Sequence, residues 1–212
     1  MDKLFCIRGV AMCAALSLGF LLTGCDSDKI PESSLPVAAS SNQVTLHNSS
    51  FPLDLLPPFS NVPYVAVNNN VPFFKDKDID LAKHDFVKIA PKDTLGRCGS
   101  VIASISLKSM PRSLESAMGD VTPTGWHTIK YSGIDGEFLY NRCLLMPSNF
   151  AGIPHGVEDE IITGTRYLTK VGMISVTDLV YKYLQKSSNH VLYRATPIFS
   201  GSDLVARGVL VE

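Results

Sequence analysis

Charge is thin in this chain. Only 18% of its 212 residues are charged, and 19 Lys+Arg face 20 Asp+Glu, for a formal net charge of −1. That balance does not announce a strongly basic nucleic-acid binder. Cysteine is scarce as well: five scattered residues exclude a disulfide-dense mini-scaffold. No H-E-x-x-H, Walker loop, G-x-S-x-G or C-x-x-C motif occurs. His47, His84, His127, His155 and His190 are spread out, so no local metal pair is suggested. Disorder is excluded too, because 45% of the residues are hydrophobic.

The apolar residues are unevenly placed. Residues 1–24 read MDKLFCIRGVAMCAALSLGFLLTG, with Lys3 and Arg8 at a basic start and no charge from Gly9 to Gly24. The run falls short of the roughly 20 residues needed to cross a bilayer. It has the shape of a signal peptide. Leu22-Thr23-Gly24-Cys25 resembles a bacterial lipobox. The resemblance implies that the Cys25 thiol is lipidated and becomes the new N-terminus. Acyl chains would then hold the protein at the cell envelope. The other reading is an ordinary secretory signal with an incidental cysteine. Asp26 follows directly; in enterobacterial lipoproteins such an Asp accompanies retention in the inner membrane, facing the periplasm.

Residues 25–60 then read as the lipidated cysteine and a Pro/Ser-rich tether. Phe51, Leu53, Leu55 and Leu56 make its last part apolar enough to dock on the domain. Residues 61–212 are the globular part and are almost neutral. Pro63–Val67, Cys98–Leu107, Val191–Phe199 and Leu204–Val211 suggest strands, the last two forming a closing hairpin. Trp126–Tyr131 and Glu137–Leu145 flank the turn-like 132–136 and suggest a second hairpin. One helix is well marked, with Ser175 or Thr177 as its candidate cap. Val176, Leu179, Val180, Tyr183 and Leu184 line one face of it, and Asn189 lies near its end. Strands and a helix without regular βαβ alternation predict an α+β fold.

Few polar residues stand out. His127 is a candidate general base, weighed against a histidine simply bonded within a hairpin. Glu158-Asp159-Glu160 reads as an exposed acidic loop rather than a cation site. Cys98 and Cys143 form either a disulfide or two buried thiols.

Six stretches carry a family resemblance: VPYVAVNNNVPFF (62–74), DTLGRCG (93–99), PTGWHTIKY (123–131), LYNRC (139–143), ITGTRY (162–167) and NHVLYRATPIF (189–199), with LVARGVLVE at the end. Together and in this order they resemble the DNA/RNA non-specific endonucleases of the ββα-metal (His-Me finger) type. Within that family they resemble the branch that includes streptococcal secreted DNases and DNA-entry nucleases. The resemblance implies a central antiparallel sheet, here shortened at its C-terminus because the family usually continues with further strands. It also implies an N-R-x-H motif whose histidine activates water, and one Mg²⁺ held by an asparagine after T-G-T-R-Y. A glutamate on the next helix supports that metal.

This chain departs at all three places. Asn141-Arg142-Cys143-Leu144 puts leucine where the base belongs, Thr169 stands for the asparagine, and Thr177, beside Asp178, stands for the glutamate. No catalytic residue and no metal ligand is therefore expected, and no cofactor unless Mg²⁺ serves a residual activity. Asn141, Arg142 and Arg166 are kept as candidate nucleic-acid-binding residues, since arginine pairs with phosphate through two N–H donors. The expected function is binding without cutting, of nucleic acid or of a protein partner such as a cognate nuclease. The alternative is an active Mg²⁺-dependent endonuclease with His127 as a relocated base. A purely structural envelope protein is the third reading.

Overall fold

The computed structural model describes residues 60–110, 121–150 and 157–212. Cys25, the signal, the tether to residue 59 and His155 lie outside them. Four strands form one antiparallel sheet in the order β1-β2-β5-β6: β1 (Phe86–Ile89), β2 (Val101–Ile105), β5 (Val191–Ile198) and β6 (Gly208–Val211). A second antiparallel pair joins β3 (Tyr140–Leu144) to β4 (Ile161–Thr165). A π-helical segment, Leu168–Met173, follows β4 and runs straight into α2 (Ile174–Leu184). The architecture is α+β, as the sequence implies.

The β-branched runs explain the central strands. β2 and β5 are buried along most of their length, and Val101, Ala103, Ile105, Val191, Tyr193 and Ala195 enter one core with Cys143, Leu145, Met146 and Phe150. Met173, Val180 and Leu184 bring the helical segment onto that core. Tyr193 and Phe150 meet edge to face, 5.7 Å between ring centroids, a favoured aromatic geometry. Pro197 in β5 is tolerated because β2 pairs only as far as Ala195, opposite Val101. Its missing N–H therefore removes no bond of that ladder.

Two expectations change. Pro63–Val67 is not a strand: it leads into a 3₁₀ turn, Asn68–Asn70, whose three asparagines all have positive φ. Asparagine tolerates this left-handed region better than most residues. The hairpin over 126–145 shrinks to a single bridge, Lys130 to Phe138, because β3 pairs with β4 instead. Two elements had no sequence signal, β1 and the short α1 (Asp76–Leu81). In α1 the Asp78 carboxylate accepts the Lys75 N–H at 3.1 Å, a first-turn acid at the positive end of the helix. Cys98 and Cys143 are both free and buried, so no disulfide links them.

Candidate functional site

The site the family resemblance points to is the β3–β4 pair and the helical segment behind it. β3 alternates, so Tyr140, Arg142 and Leu144 share one face and Asn141 and Cys143 the other. Leu144 is half-buried and faces Ile161 across the ladder. It is thus two residues from Arg142 on the same face.

That face is covered by the segment 121–126. Arg142 donates its Nε–H to the Val121 carbonyl, and its guanidinium lies 4.4 Å above the Trp126 ring. Thr163, buried and opposite Arg142, donates to the Thr124 carbonyl at 2.8 Å. Arg166 points elsewhere. Its Nε and Nη2 bind Asp135 Oδ2 at 3.2 and 2.7 Å, and it packs so closely on Gly136 that a Cβ there would meet its Cζ at 2.9 Å. Both candidate cations are thus engaged locally, one with a carbonyl and an aromatic ring, the other with a carboxylate. Asn141 faces Gly164 on the opposite face of the pair.

Thr169 and Thr177 lie behind that opposite face. A Cβ on Gly164 would fall 2.9 Å from Cys143 Cβ and 3.3 Å from Thr169 Oγ1, so glycine is what lets the π-helical segment approach. Thr169 donates its hydroxyl to the Thr165 carbonyl at 3.1 Å. Thr177, buried on α2, donates to the Met173 carbonyl at 2.9 Å. Asp178 is exposed. The residues that the resemblance sets at the family's metal positions do not fit a divalent cation. Thr169 and Thr177 bring two neutral hydroxyls and no carboxylate, and among the described residues no three His, Cys, Asp or Glu cluster.

His127 is exposed. Its Nδ1 is 2.5 Å from the Gly125 carbonyl, which can only accept, so Nδ1 carries the proton of that bond and Nε2 is the nitrogen left over.

The acidic stretch needs correcting. Glu158 is exposed, and Asp159 pairs with Lys92 at 3.0 Å. Glu160, however, is completely buried, and among the described residues neither carboxyl oxygen has a hydrogen-bond partner. Burial alone pushes its pKa up to about 7. The register explains the position. The Leu145 N–H donates to the Glu160 carbonyl at 3.0 Å, extending the ladder one pair past Leu144 and Ile161. Period-2 alternation then puts Glu160 on the core face with Ile162. Only a known β4 register would have revealed this from sequence.

A two-stranded antiparallel pair leading directly into a helix, backed by an antiparallel sheet, is the frame of a ββα-metal nuclease domain. The sequence profile of the DNA/RNA non-specific endonuclease family matches residues 87–212, and the chain belongs to that family. Among curated proteins none matches. Among solved structures, NucA from Streptococcus agalactiae with magnesium ion bound is 19% identical at a TM-score of 0.54, covering 61% of this chain and 64% of its own. Sda1 nuclease with bound zinc ion is 22% identical at a TM-score of 0.50, covering 59% of this chain and 67% of its own. At these identities the likeness is one of fold. This chain spans a little under two thirds of the length of NucA.

Proposed function

We propose that this chain is an envelope lipoprotein, anchored through Cys25, whose nuclease-family domain binds without cutting. The carrying observation is Leu144. It stands on β3 beside Arg142, at the place of the base in the family motif, and has no atom that accepts a proton. A general base typically contributes about 10²–10⁴-fold. Thr169 and Thr177, neutral hydroxyls where the family has an amide and a carboxylate, support the same reading, and a metal is not needed for it.

The ligand is a nucleic acid or a protein partner. The near-neutral domain and the engaged Arg142 and Arg166 weigh against tight phosphate binding, which takes several free cations on one face. A gel shift across a salt series separates the two: retardation at low salt that fades with salt supports nucleic acid. Its absence, with capture of an envelope protein, supports a protein partner.

Plasmid DNA incubated with the protein and Mg²⁺ should stay intact. The triple variant Leu144→His, Thr169→Asn, Thr177→Glu should begin to nick it. Cleavage by the unaltered chain would overturn the binding reading. It would favour the second one, a Mg²⁺-dependent endonuclease using His127, for which the exposed ring and fixed Nδ1–H speak. His127→Ala must then abolish that cleavage.

A further inference from the structure

Leu145 lies where the two sheets meet, bonded both along the β3–β4 ladder and across to β5. Its N–H donates to the Glu160 carbonyl at 3.0 Å, and its carbonyl accepts the Tyr193 hydroxyl of β5 at 2.7 Å. Beside it the Cys98 thiol donates to the Ile161 carbonyl at 3.2 Å. Into this seam projects the Glu160 side chain, out of solvent and, among the described residues, with no partner for either oxygen. A buried polar group without a partner calls for a physical reason.

The neighbouring groups offer the carboxylate nothing. The Tyr193 hydroxyl, from β5, is committed to Leu145, and the Cys98 thiol, ahead of β2, to Ile161. Cys143, on β3, is a buried thiol whose own pKa is driven up to about 11. Lys92 is paired to Asp159, and Asp93 to Arg97. An ionised Glu160 would thus be an uncompensated buried charge, which is strongly destabilising.

We propose that the Glu160 carboxyl is a proton-controlled latch between the two sheets, closed while it holds its proton and released when it gives that proton to water. Release lets the 3₁₀ turn Val157–Asp159 and the start of β4 leave the seam, carrying Glu160 to solvent. The idea stands apart from the loss of catalysis and is read without any nuclease assay.

The test is amide hydrogen exchange on the full chain from pH 5 to 8, each rate divided by its intrinsic chemical rate. Opening exposes Glu160 with its ordinary pKa of 4.5 in place of about 7. Protection of the Leu145 amide should therefore fall about tenfold per pH unit from pH 5 to near 7 and then level off. Amides of β2 should not follow. In Glu160→Gln and Glu160→Leu the Leu145 profile should be flat. A flat profile in the unaltered chain, or the same slope in a folded variant, overturns the latch. Should neither variant fold, the ¹³C titration of the native Glu160 carboxyl decides. A midpoint in the ordinary carboxylate range refutes the proposal, and one near neutrality that moves with Leu145 protection upholds it.

Discussion

Single residues carry most of what distinguishes this domain. At Tyr193 one hydroxyl bridges the two sheets by donating to Leu145, deep in the core. Its own ionisation is suppressed by burial. Tyr193→Phe keeps the ring against Phe150 and leaves the Leu145 carbonyl without a partner. A loss of about 1–3 kcal/mol is expected in urea unfolding. Glu160 sets a pH dependence of global stability as well. Below pH 4.5 the carboxyl is protonated folded or unfolded and contributes no slope. Between 4.5 and about 7 the unfolded chain gives up the proton and the folded chain keeps it, so stability falls as pH rises. Above 7 both forms are ionised and the loss is complete, about 3 kcal/mol in all. Urea midpoints should thus decline from pH 5 to 7, and Glu160→Gln should remove that decline.

Among the elements, the π-helical segment approaches β4 closely at Gly164. Gly164→Ala would push a methyl to 2.9 Å from Cys143 Cβ, with Leu168 and Thr169 at 3.3 Å. Overpacking of this kind costs about 1–3 kcal/mol, to be seen as a lower melting temperature without change in the four-stranded sheet. What was legible in the sequence follows the same lines. β2, β5, β6 and the body of α2 announce themselves through β-branched runs or a 3.6-residue period, because burial alone selects their residues. Partner choice is not local, and there the reading fails. The segment 126–131 looks like the mate of 137–145, yet β3 takes β4, more than fifteen residues downstream. Glu160 looks solvated beside Glu158 and Asp159 until that register is known. The motif positions Leu144, Thr169 and Thr177 were legible through resemblance alone. The engagement of Arg142 with Val121 and Trp126 was not, since nothing in the chain announces that 121–126 folds across β3.

At the scale of the molecule, two ends matter. Near one, Glu212 closes the sheet: its Oε2 takes the Arg194 Nε–H at 2.7 Å and its Oε1 the Phe73 N–H at 2.6 Å, while Arg194 stacks 4.6 Å from Phe74. The pair is largely buried, so Glu212→Ala leaves Arg194 without its anion. A loss of about 2–4 kcal/mol is expected in thermal or urea unfolding, and Phe73 should become more accessible to protease at its neighbouring bonds. At the other end stands the proposed anchor. Among the described residues no helix is long and apolar enough to cross a membrane, and the near-neutral domain brings little attraction to anionic lipid of its own. Acyl chains at Cys25 are the proposed hold at the envelope, and one chain alone gives only marginal binding. Expression of the full chain in a bacterial host with labelled palmitate should yield a labelled band in the membrane fraction. Cys25→Ser should lose the label and the membrane association together. Label lost with the protein still sedimenting with membranes would place the hold in the domain itself. An unlabelled native chain in the soluble envelope fraction would mean the segment before Cys25 is an ordinary secretory signal, and the domain would then work unattached.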